Sequence, residues 1–119
     1  MSGLRCVGIY DGPVVSVNRA RIPARGRLIS NPVYRRFVQD MAWQLRDGSK
    51  TAARSVRVRL DCTLPARMDV DNVIKPCLDA LQRADVVAND NQVTSVKAER
   101  AGVAKTSACS RIVFWIEEA

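Results

Sequence analysis

A chain of 119 residues, 47% hydrophobic and 26% charged, is sized and balanced for one globular α+β domain spanning 1–119, since folding at this length hides roughly two thirds of the extended chain's surface. No apolar run nears the ~20 residues of a membrane span, and the N-terminus MSGLRCVGIYDG lacks the basic and apolar blocks of a secretion signal, so a cytoplasmic protein with no membrane partner is expected. The net charge of +7 comes from 15 Arg and 4 Lys against 12 acids; with no histidine the chain excludes Ser-His-Asp and Cys-His catalysis and imidazole metal sites, and its arginine bias favours phosphate partners.

Residues 4–10, LRCVGIY, form a short apolar run closed by Asp11-Gly12-Pro13, which predicts a strand and a turn. Arg19, Arg21, Arg25, Arg27, Arg35 and Arg36 then follow with no acid among them. Pro23 and Gly26 interrupt the pattern, so 18–29 reads as an exposed, mobile basic loop. Six uncompensated charges repel one another, which suits a nucleic-acid backbone better than bare solvent. By itself this loop would equally serve a non-catalytic nucleic-acid-binding module. Ser30-Asn31-Pro32 carries a capping residue ahead of a first-turn proline. Tyr34, Phe37, Val38, Met41 and Leu45 recur at helical spacing over 32–46, with Trp43 off the stripe and Asp47-Gly48-Ser49 as the stop.

SVRVRLDCTL, 55–64, alternates apolar and polar residues and predicts a strand buried on one face. Pro65 ends it. A helix is expected over about 72–84, with Val73, Ile74, Cys77, Leu78 and Leu81 inward and Pro76 in the first turn, where free N–H groups are normal. Residues 93–100 and 111–117 read as two strands joined through 101–110 as a hairpin. The predicted order is β-α-β-α-β-β, a mixed sheet covered by two helices. Cys6, Cys62, Cys77 and Cys109 hold no C-x-x-C spacing, and neither G-x-x-x-x-G-K-[ST] nor G-x-G-x-x-G occurs, so no nucleotide cofactor is expected.

The chemistry concentrates in LPARMDVDNVIKPCLDALQRADVVANDNQV, 64–93. Asp69 and Asp71 stand one residue apart before the helix, Lys75 lies in its first turn, and Asp90 sits in the turn-like Asn89-Asp90-Asn91. Two carboxylates at D-x-D spacing can converge on Mg²⁺, or Mn²⁺ in its place, a cation that takes oxygen ligands and keeps several waters. Without a cation, unit charges 4 Å apart repel by about 4 kcal/mol at an effective dielectric of 20. Lys75 could stabilise charge on a phosphorane or a leaving oxygen. The plainer alternatives are a helix cap, an Asp71–Lys75 i,i+4 pair and a simple turn at 89–91.

MDVDNVIKPCLDAL followed by NDNQV resembles the core signature of the RusA family of Holliday-junction resolvases, a D-x-D-N-x-x-K helix start and an acidic turn after the helix. Pro13, Ser16 and Asn18 resemble the family's N-terminal P-x-S-x-N element, with one extra residue after the proline. The resemblance implies a Mg²⁺-dependent endonuclease acting as a homodimer on four-way junction DNA. Asp69, Asp71 and Asp90 would then be the metal ligands and Lys75 the catalytic lysine. Asn18, Arg19, Arg21, Arg25, Arg27 and Arg67 are the expected DNA contacts. Asn89 stands where the family turn is usually acidic, and Arg67 beside Met68 is what remains of an arginine run.

Overall fold

The structure, a computed structural model, describes residues 3–46, 51 and 55–118. Its main sheet has four strands in the order β1-β6-β4-β5: β1 (Leu4–Asp11), β4 (Val56–Pro65), β5 (Val93–Ala104) and β6 (Arg111–Glu118). Helices α1 (Pro32–Gln44) and α2 (Ile74–Arg83) cover one face. This is the expected α+β architecture, with a two-stranded hairpin added between β1 and α1.

β4 is central because its alternation is strict. Val56, Val58, Leu60, Cys62 and Leu64 are wholly or almost wholly buried against the helices, beside Ile112, Phe114 and Ile116 of β6. On the opposite face, Arg57 pairs with Glu117 at 3.1 Å, Arg59 bridges Asp61 at 3.0 Å and Glu99 at 3.7 Å, and the Trp115 indole donates to Asp61 at 3.0 Å. Arg57, Arg59 and Asp61 on that open face are thus offset by neighbours of opposite sign.

Asn31 starts α1 as the sequence predicts, its side chain accepting from the Val33 amide at 3.0 Å with Pro32 behind it. The inward stripe is Tyr34, Phe37, Val38, Met41 and Leu45. Gly8 lets the end of this helix close onto β1, since a Cβ there would collide with Leu45. Trp43 lies outside the stripe, exposed, with the Arg46 guanidinium 4.2 Å above its ring. The predicted stop at Asp47-Gly48-Ser49 lies outside the described residues.

Two expectations are corrected. The basic stretch is no irregular loop: β2 (Arg21–Ala24) and β3 (Arg27–Ser30) pair antiparallel, with Ala24 opposite Arg27. Arg25 and Gly26 form a two-residue connection with φ of 53° and 80°, the positive values that tight hairpins require. The glycine read as a breaker supplies the turn, and Pro23 is tolerated because a two-stranded ribbon leaves strand edges that need no donor.

The second correction concerns β5 and β6, which do not pair with each other. β5 runs parallel to β4, β6 antiparallel to it on the other side, so β4 separates them. β4, α2 and β5 form a crossover unit, the connection parallel neighbours need. β5 continues to Ala104, and 105–110 then steps across β4, two strand spacings or roughly 10 Å.

Candidate active site

β4 carries the chain into the acidic turn. Leu64 is its last fully buried residue, and the Met68 amide then bonds the Pro65 carbonyl at 3.0 Å. Arg100 reaches across from β5. Its guanidinium donates to the carbonyls of Leu64 at 3.0 Å, Pro65 at 3.4 Å and Met68. These are backbone groups on the approach to Asp69, so one planar donor fork sets the path into that residue. Nothing in the local pattern marks Arg100; its role exists only because β5 lies beside β4.

Val70–Val73 makes a 3₁₀ turn, and α2 follows directly. Asp69 flanks that turn in an extended conformation (φ −76°, ψ 145°), and its side chain caps nothing. Asp71 lies in the turn. Both carboxylates are exposed, and neither has an ion-pair partner among the described residues. Val73, fully buried, anchors the turn from below and is also the residue preceding α2, in place of an Asp71 or Asn72 cap. Pro76 falls in the first helical turn, where its missing N–H costs nothing.

Lys75 makes no pair with Asp71. Its Nζ donates instead to Asp79 one turn further on, at 2.9 Å. The capping and i,i+4 alternatives are therefore not how these two aspartates are used. Asp90 opens the short 3₁₀ turn Asp90–Gln92 just before β5. The parallel register sets Val93 beside Val56 and Ala104 beside Pro65. The backbone of Asp90 is thus at the start of the β4–β5 pair and the Asp69–Asp71 turn at its finish, ends separated by roughly 30 Å along ten residues of strand. Among the described residues no group of three acidic, histidine or cysteine side chains could hold a metal.

Asn18 and Arg19 belong to a 3₁₀ turn, Val17–Arg19, that lies against Val70–Val73. Ser16 accepts from the Asn18 amide at 3.1 Å. Buried Asn31 then ties this region to α1: its side chain donates to the Arg19 carbonyl at 2.8 Å and its amide to Ala20 at 2.9 Å. Arg21, Arg25 and Arg27 are exposed on the hairpin, and Arg67 is exposed in the turn before Asp69. The two buried cysteines, Cys62 and Cys77, offer no nucleophile. Burial pushes the Cys62 thiol up to about 11, with Asp61 adding and Arg100 opposing, and burial raises Cys77 well above its ordinary value.

Two solvent-facing carboxylates that lack an ion-pair partner among the described residues offer hard oxygen donors, on a turn that follows Arg67 and lies against Val17–Arg19. Residues 11–116 match the family described as Endodeoxyribonuclease RusA. The chain belongs to the RusA family. A relative from Aquifex aeolicus (strain VF5), named Crossover junction endodeoxyribonuclease RusA, is 32% identical over 88 residues, covering 71% of this chain and 70% of its own. The RusA match spans every residue from Asn18 to Asp90, so the hairpin, the acidic turn and the turn before β5 all fall inside it. The resemblance read from MDVDNVIKPCLDAL and NDNQV is borne out, and the protein is an endodeoxyribonuclease. No described helix is long and apolar enough to cross a membrane.

Proposed function

We propose that this RusA-family endodeoxyribonuclease resolves Holliday junctions in DNA recombination and repair by Mg²⁺-dependent hydrolysis, one cut from each subunit of a homodimer. The observation that carries the reading is the pair Asp69 and Asp71, exposed and without an ion-pair partner among the described residues, on a turn pinned by Arg100 and Val73. Such a donor set fits a hard divalent cation. When bound, that ion would supply an acidified water and offset phosphate charge. Asp69 and Asp71 would hold it, with Asp90 as the third carboxylate. Lys75 would meet negative charge gathering on the cleaved phosphate. Asn18, Arg19 and Arg67, around the same turn, would orient the strand that is cut. The test is a labelled four-way junction incubated with Mg²⁺ or Mn²⁺. Wild-type protein should release paired nicked duplexes; cutting that survives Asp71→Asn would remove the metal reading.

Two features support the dimer. Resolution needs two matched cuts and one chain carries one acidic turn, so an isologous pair supplies both. In addition, β5 is the outer strand of its sheet. Two β5 edges aligned antiparallel about a two-fold axis would carry each subunit's Asp90 turn toward the partner's Asp69–Asp71 turn. Centred on Ala98, that alignment sets Lys97 of one copy opposite Glu99 of the other, a favourable cross-strand pair. Subunit mixing decides it. Asp71→Asn and Asp90→Asn, each inactive alone, should regain cutting when co-assembled, because one composite site is then intact. No recovery from demonstrated heterodimers would show that each subunit uses its own Asp90.

A further inference from the structure

Between the hairpin and the exposed flanks of α1 and α2 lies an open groove of about 890 Å³. Its floor is apolar, Tyr34 and Val38. Among the described residues its walls carry Arg21, Arg35, Lys75 and Arg83 beside the carboxylate of Asp79, so positive charge predominates. Arg35 and Arg83 are exposed, and neither has an ion-pair partner among the described residues. On the open sheet face, by contrast, Arg57 and Arg59 are paired with Glu117, Asp61 and Glu99.

We propose that this groove holds the sugar-phosphate backbone of one duplex arm, with Arg35 and Arg83 as phosphate contacts and Asp79 as the counter-charge that DNA displaces from Lys75. This rests on the junction reading and extends it to residues outside the basic hairpin. Lys75 and Arg83 are eight positions apart on α2, about 12 Å along its axis. B-DNA offers one phosphate per 3.4 Å per strand, so this wall covers roughly three or four phosphates. Lys75 stands at the end nearest Asp71, so a strand laid along the wall leads toward the acidic turn. Tyr34 is 8% exposed and cannot serve as a stacking platform for an unpaired base, which favours duplex over single strand. Asp79 accepts from Lys75 at 2.9 Å, a contact that phosphates entering the groove must replace.

Binding is measured by fluorescence anisotropy with labelled junction and duplex across a KCl series in EDTA, so that cleavage plays no part. The Arg35→Ala/Arg83→Ala double variant should flatten the log K against log [salt] slope by about 1.8, at 0.9 per phosphate contact, and weaken binding on the order of 50-fold at 0.1 M salt. Asp79→Asn should tighten binding. Arg57→Ala, on the open face, should leave the slope unchanged. A double variant indistinguishable from Arg57→Ala, or single-stranded DNA outcompeting duplex of equal length, overturns the groove alone. Wild-type protein that binds neither DNA overturns the groove and the junction reading together.

Discussion

The acidic turn and the basic hairpin are both written in a few residues, yet they are built in opposite ways. The turn is enclosed. Leu64 and Val73 are fully buried on either side of Asp69 and Asp71, and Arg100 ties the backbone ahead of them from a neighbouring strand. The hairpin is open. Its residues are exposed or half-buried, Leu28 and Ile29 included, and its shape depends on its own pairing, a two-residue turn and the Asn31 bonds at its base. Holding an ion requires donors fixed to within tenths of an ångström, whereas following a phosphate backbone requires only that charge be near it. On the proposed metal reading, the buried framework lies where precision would be required.

That contrast can be broken by substitution, and the effects should be graded. The largest is expected at Asp69→Asn and Asp71→Asn, whose loss of junction cutting should exceed the ~10–100-fold typical of groups one step removed from a metal. Single-turnover rates at saturating protein measure it, and residual activity within tenfold of wild type would dissociate the turn from the chemistry. Arg100→Ala comes next, with a loss of about 10–100-fold and a rise in the Mg²⁺ concentration giving half-maximal rate. Arg100→Lys should rescue little, because a point charge cannot bridge three carbonyls. An unaltered Mg²⁺ requirement would leave Arg100 a merely structural residue.

Stability should divide the two regions in the same direction. Leu64→Ala empties a fully buried site and should cost about 3 kcal/mol in urea unfolding. Leu28→Ala, 62% exposed on the hairpin, should stay within roughly 0.5 kcal/mol. Equal losses would mean that the hairpin is part of the cooperative core. The smallest effect is chemical. Cys6 and Cys109 are exposed and should react promptly with a thiol reagent at pH 8, while buried Cys62 and Cys77, with raised thiol values, should react only after unfolding. Four fast thiols in the native protein would contradict the packing under the acidic turn.

Elements carried by their own periodicity could be read in advance. The stripe from Tyr34 to Leu45 places α1, and the alternation from Val56 to Leu64 places β4 within a residue at each end. Asp69, Asp71 and Lys75 belong to a local pattern, D-x-D-N-x-x-K, and that pattern places them at the turn into α2 and in its first turn. The basic hairpin was not: a proline and a glycine signal interruption, and only the pairing of Arg21 with Ser30 and Ala24 with Arg27 turns that interruption into a ribbon.

Composition, periodicity and turn chemistry are properties of neighbours along the chain, so the sequence alone determined the fold class, the inward faces, the excess of arginine and the acidic pair. Which strand lies beside which is set by competition among distant segments for one buried surface, and local pattern does not record the winner. β4, the most thoroughly buried strand, took both neighbouring places, which kept β5 from β6 and brought Arg100 to the carbonyls before Asp69. The same parallel register placed the backbone turn of Asp90 at the far end of that strand pair. Those placements exist only in the folded chain, because each depends on contacts between residues tens of positions apart.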